Sequence, residues 1–211
     1  MPTATAPSAA TTLGSAFDHA ALEALLAELR DPGWVSDQRR TALTALESLG
    51  LPDRRSENWM RTDIRLFKPA AWGLRPRPAT AVVPEGLLSA AITSDEAAAE
   101  CFPEESCRPS GGARLAGRFA SLDGHVVQAE LDSPLAAQGV RFGSAETVLA
   151  ELATELEPHW FSVIDSRHDW FAALHAAFHR GSSVLYVPPG VKLADPLHVM
   201  SAISPNGVDT S

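Results

Sequence analysis

The residues in this chain best suited to chemistry are histidines. His168, His175 and His179 are spaced so that, on one continuous helix at about 100° per residue, they fall within an arc of roughly 40°. Three neutral imidazoles on one face can ligate a transition metal, and Asp165 or Asp169 is close enough in sequence to add a carboxylate. No H-E-x-x-H base accompanies them, because Ala176 occupies the position of the Glu. The plainer expectation is that the three border an apolar helix stripe and hydrogen-bond to backbone. On that reading no catalytic, cofactor-binding or metal-binding residue is assigned.

Other chemical motifs fail on their spacing. Cys101 and Cys107 have no second Cys or His pair at zinc-finger distance, so they read as a structural or exposed pair. Gly112 and Gly117 are spaced as in a phosphate-binding loop, but Arg118-Phe119 stands where Lys and Ser/Thr would have to reach phosphate and metal. There is no G-x-G-x-x-G after a strand and no G-x-S-x-G.

The histidines require a helix to present them. Phe171, Leu174 and Phe178 make an apolar stripe, Ser166 or Asp169 is available as N-cap, and Gly181 after Arg180 ends the helix. Ser183 to Val187 is then a continuous run rich in β-branched and aromatic residues, stopped by Pro188-Pro189-Gly190, which predicts a buried strand. A last strand alternates Leu197, Val199 and Ile203 with His198, Met200 and Ala202. Short strands joined by tight turns suggest an antiparallel meander or the first coils of a β-solenoid. Nothing before Ser211 would cover the edge of the last strand, so the chain is expected to be the front part of a longer protein.

Upstream, residues 1–16 read as a flexible tail. Residues 17–68 form a helical domain: Leu22, Leu25, Leu26 and Leu29 stripe a first helix, closed by Asp31-Pro32-Gly33. Ser36 caps a second helix with Ala42, Leu43, Leu46 and Leu49 on one face and Gly50 as its stop. The two pack as a hairpin, with Trp59, Ile64, Leu66 and Phe67 laid on it and Arg54 paired to Glu57 at the surface. Residues 69–110 are a Pro/Ala-rich linker, and 111–211 a strand-rich region. In the latter, Ala113–Ala120 and His125–Leu131 flank Leu122-Asp123-Gly124 as a hairpin, and Val140–Phe142 is a short strand. Ser144 then caps a helix stopped by Pro158, giving an α+β arrangement.

The composition narrows the function. Lys+Arg at 17 against Asp+Glu at 26 leaves a net charge of −9, which opposes nucleic-acid or anionic-membrane binding. No apolar run reaches the roughly 18 residues of a membrane span, and residues 1–16 lack the charge and apolar core of a secretory signal. A cytoplasmic protein with reduced cysteines is expected. Five Trp residues leave room for a β-solenoid that stacks sugars on aromatic rings.

Two stretches carry a family resemblance. Leu51-Pro52, Arg54, Glu57, Trp59 and Thr62-Asp63 resemble the L-P-x-R-x-x-E-x-W-x-x-T-D pattern of the SufB/SufD iron-sulfur cluster assembly family. Phe171 to Pro196, with Gly181, V-L-Y-V-P-P-G-V and D-P, resembles the entry to that family's core, and the likeness is greater to SufD than to SufB. Arg61 stands where the family often has Tyr, and His175 where it often has Asn. The resemblance implies a helical N-terminal domain followed by the start of a right-handed parallel β-helix. It also implies a non-enzymatic scaffold subunit that acts with a SufB-like paralogue and a SufC-like ATPase to build iron-sulfur clusters. It assigns no cluster ligand to any residue of this chain. The alternative to a scaffold is a metal-dependent enzyme or sensor built on His168, His175 and His179.

Overall fold

A computed structural model describes residues 17–52, 57–64, 67, 69, 72–78, 92–93 and 114–204. Residues 1–16, Arg54, Leu66, Cys101, Cys107, Gly112 and most of the 69–110 stretch lie outside the described residues. The chain divides into two compact units, one drawn from Met1–Pro76 with Pro158–Phe178, the other from Arg77–Glu157 with His179–Ser211.

In chain order the helices are α1 (His19–Glu28), α2 (Gly33–Leu49), α3 (Ser133–Ala137), α4 (Ala145–Leu156) and α5 (Trp170–Phe178). The strands are β1 (Ile92–Thr93), β2 (Arg114–Leu115), β3 (Gly117–Leu122), β4 (His125–Leu131), β5 (Arg141–Ser144), β6 (Ser183–Tyr186) and β7 (Leu197–Ala202). Among the described residues, no helix is long and apolar enough to cross a membrane.

The first unit is built from α1, α2 and α5. Asp18 caps α1 by accepting the N–H of Ala21 at 2.8 Å, which frees the leucine stripe to bury Leu22 and Leu25 completely. Complete burial of such a side chain contributes about 1.5–3 kcal/mol. Helix α2 begins earlier than its expected cap, Ser36. The carbonyl of Pro32 accepts the N–H groups of Val35 and Ser36, so the proline turn itself starts the helix and Ser36 sits in the first turn. Ala42, Leu43 and Leu46 are buried as the pattern predicts, but Leu49 is 42% exposed where the helix stops at Gly50, φ 62°.

The α2 stripe also contains an ion. Arg39 lies one turn before Leu43 and is 2% exposed. Its Nε donates to Asp31 Oδ2 at 2.8 Å, and its Nη1 donates to the Ala177 carbonyl at 3.1 Å. That carbonyl belongs to the last turn of α5, where no intrahelical donor remains and a cation is favoured. Phe67 packs, as expected, against the core that α1 and α2 share with α5, and both Trp59 and Phe67 find ring partners on α5. Trp59 stacks on Phe171 at 5.1 Å, and Phe67 meets Phe171 at 5.4 Å and Trp170 at 6.1 Å.

Asp169, not Ser166, caps α5: its Oδ1 accepts the Ala172 N–H at 2.8 Å. Asp169→Ala is expected to cost about 1 kcal/mol in urea unfolding, and Asp169→Asn much less, because the amide oxygen can still accept that bond.

In the second unit, β3 and β4 pair antiparallel around Asp123 and Gly124, whose φ values of 52° and 78° are those of the tight turn the Asp-Gly pair predicts. β7 joins the other edge of β3 in parallel, Gly117 opposite Leu197 through Leu122 opposite Ala202, giving the order β4-β3-β7. The Asp123 carboxylate holds the end of β7 by accepting the Ser204 N–H at 3.0 Å and the Ser204 hydroxyl. β5 and β6 form a separate antiparallel pair, and β1 and β2 a parallel one.

Ser144 caps α4 as expected, accepting the Thr147 N–H at 3.1 Å. The run Ser183 to Val187, expected to be buried, leaves Leu185 46% and Val187 36% exposed, because among the described residues β6 pairs with β5 alone. On β7 and just beyond it, Val199 is 49% and Ile203 74% exposed.

Candidate functional site

The three candidate histidines do not share a helix. α5 spans Trp170–Phe178, so His175 lies within it, His168 lies before it, and His179 follows it. His179 is buried in the second unit, and the described residues contain no group of three or more His, Cys, Asp or Glu placed to hold a metal ion. The 40° arc assumed a continuous helix from residue 168 to 179. The Asp169 cap and the end of α5 at Phe178 remove that premise.

What the fold assembles instead is a groove of about 550 Å³ in the first unit, lined by His159, His168 and His175 together with Phe161, Val163 and Ile164. The segment leading to it turns at Glu157–His159, and Ser162 closes the turn through its Oγ, which donates to the His159 carbonyl at 2.8 Å. Phe161 takes a φ of 51°, a left-handed conformation costing a non-glycine residue roughly 1–2 kcal/mol. Packing holds it there: its ring meets Trp160 at 6.1 Å and His175 at 5.7 Å, both edge-on. Trp160 in turn meets Trp34 of α2 at 6.0 Å.

Asp169 also lines this groove, and the neighbouring Asp165 is paired with a cation. Asp165 accepts from the Arg167 side chain, Nη2 to Oδ2 at 3.1 Å, and from its backbone N–H at 2.7 Å. These hydrogen bonds hold the carboxyl below its ordinary range and raise the Arg167 guanidinium. Partial burial, and then the charge of Arg39, lower the pKa of His175 from the ordinary 6.5.

The unfolded chain therefore binds a proton at a pH where folded His175 does not. Its contribution to stability is complete above about pH 6.5 and is lost as pH falls through that value toward the folded one. His175→Gln is expected to flatten the urea-midpoint profile between about pH 7.5 and 5.5. An unchanged profile contradicts the assignment.

A second, more polar groove of about 430 Å³ is lined by Leu51, Pro52, Asn58 and Trp59 with His168 and Trp170. The described part of the L-P…E-x-W stretch thus meets the start of α5, and Arg61 is exposed. Sequence reasoning missed the first groove. The available signal was the apolar pair Val163-Ile164 standing in a stretch with no strand or helix pattern.

Over a 90-residue stretch the chain is homologous to iron-sulfur cluster assembly proteins of the SufB and SufBD type. SufB of Bacillus subtilis (strain 168) is 37% identical there, a SufBD family protein of Staphylococcus haemolyticus 32%, and one of Staphylococcus aureus (strain USA300) 31%. In each case the match covers 43% of this chain and 19% of the relative. No family model and no solved structure matches the chain.

Proposed function

We propose that this chain is part of a SufD-like scaffold subunit of an iron-sulfur cluster assembly machine, acting in the cytoplasm with a SufB-like paralogue and a SufC-like ATPase. The observation that carries the cluster-assembly part of this reading is the 37% identity to Bacillus subtilis SufB over 90 residues. The cluster is cargo, and the subunit positions partners instead of transforming a substrate. On this reading, β3 and β7 begin a right-handed parallel β-helix. Their parallel pairing is compatible with stacked coils, and the exposed Leu185, Val187, Val199 and Ile203 are side chains that further coils would cover.

The test is a deletion in the source organism, assayed for the activities of iron-sulfur enzymes with the amount of each enzyme protein held as control. Lower activity, restored by the intact gene, is expected. Unchanged activity under iron limitation and oxidative stress contradicts the proposal.

A further inference from the structure

We propose that His175 is a proton-operated latch on residues 158–164: its neutral imidazole holds that turn closed, and acidification releases it. This does not depend on the cluster-assembly reading. Two edge-on ring contacts pin the turn to the helices. Trp160 meets Trp34 of α2 at 6.0 Å, and Phe161 meets His175 of α5 at 5.7 Å. The next three residues, Ser162, Val163 and Ile164, are exposed. Phe161, only partly buried against the core of the unit, has a φ of 51°, a conformation that persists only while its surroundings impose it. Loosening the His175 contact therefore lets the backbone relax, and the strain assists the opening.

The proton decides the state because His175 faces a fixed cation. Arg39 of α2 acts on it, and that guanidinium cannot withdraw, since it donates to Asp31 Oδ2 at 2.8 Å and to the Ala177 carbonyl at 3.1 Å. Burial first, and then the charge of Arg39, disfavour the imidazolium in the closed turn. Of the carboxylates nearby, Asp31 is bound to Arg39 and Asp165 to Arg167. Asp169, which lines the groove together with His159 and His168, accepts the Ala172 N–H. A protonated His175 is thus relieved by entering water on the groove side, where the Phe161 ring stands. The open turn binds the proton at the ordinary value and the closed turn below it. The closed state is therefore complete above about pH 6.5 and is lost as the pH falls through that value.

The test is amide hydrogen exchange of the 211-residue chain at about pH 7.5 and pH 5.5, read by mass spectrometry, with each rate divided by the intrinsic chemical rate at that pH. The reporter is the peptide covering residues 158–168, in which the Ser162 N–H donates to the His159 carbonyl at 3.2 Å. It is expected to be less protected than α1 and α2 at both pH values, because the turn opens without unfolding the helices. Its protection is expected to fall about threefold or more at the lower pH.

His175→Phe keeps a ring against Phe161 and takes up no proton, so its protection in this peptide is expected to be equal at the two pH values. His175→Gln, also neutral, gives the same equality if the Phe variant does not fold. His159→Gln with His168→Gln is expected to retain the fall at low pH. The proposal is overturned if the wild type shows no fall, if the fall persists in the two His175 variants, or if it disappears in the His159/His168 pair. It is overturned as well if residues 158–168 are as protected as α1 and α2 at both pH values, since the turn then opens only when the whole unit unfolds.

Discussion

Replacing Arg39 with Ala is expected to destabilise the helical unit by about 3–5 kcal/mol, the cost of leaving a buried carboxylate without its cation. Asp31 and Arg39 side chains are 2% and 3% exposed, and the guanidinium also supplies a donor to the Ala177 carbonyl. The substitution therefore strands two acceptors at once, one of them charged. Two controls separate ion-pair loss from loss of bulk. Arg40, whose Nε donates to Glu23 Oε1 at 3.0 Å with both side chains about half exposed, forms a superficially similar pair. Arg40→Ala should leave the urea midpoint close to that of the wild type, because solvent screens that pair. The double substitution Arg39→Met with Asp31→Leu should recover most of the lost stability, since an apolar pair leaves no buried charge behind. If Arg39→Ala costs no more than Arg40→Ala, neither the buried Arg39–Asp31 pair nor the Arg39 bond to the Ala177 carbonyl stabilises the unit.

Gly181→Ala is expected to cost about 2–4 kcal/mol, combining left-handed backbone strain with a steric clash. Gly181 has φ +61°, and a Cβ built there would stand 2.5 Å from the Gly124 carbonyl oxygen and 2.7 Å from its carbon. Both contacts are backbone of the Asp123-Gly124 turn, so neither can swing aside as a side chain would. Gly190 gives the comparison. Its φ is +84°, but nothing lies within 4 Å of its added Cβ, so Gly190→Ala should cost only about 1 kcal/mol. Guanidinium unfolding of the two variants checks this. Equal costs would mean that conformation alone, and not the close approach of two glycines, governs position 181.

Local structure is legible in the sequence. Asp123-Gly124 predicts its tight turn, Ser144 its helix cap, and the stripe Leu22, Leu25, Ala42, Leu43, Leu46 its buried face. Each depends on residues a few positions apart, and the physics is equally local. Arg39 was not legible, because a periodicity reading counts apolar residues and takes an Arg at the same helical phase for a solvated one. Its partner carbonyl lies 138 positions away, and no local pattern announces a contact at that separation. The same applies to residues 158–178, which leave the strands around them in sequence to pack with α1 and α2.

The histidine cluster failed for a related reason. Its geometry assumed a continuous helix across residues 168–179, whereas Asp169 caps α5 and Phe178 ends it. The groove that brings His159, His168 and His175 together depends on the turn at Phe161, whose positive φ is a product of tertiary packing.

The central claim is that this chain works as a structural partner in iron-sulfur cluster assembly. Its most direct test is affinity purification from the source organism through a tag on the genomic copy, so that the protein is isolated at its natural length with whatever it holds. The account predicts recovery of a SufB-like paralogue and a SufC-like ATPase in near-stoichiometric amounts. A folded, tagged protein that brings down neither would contradict it.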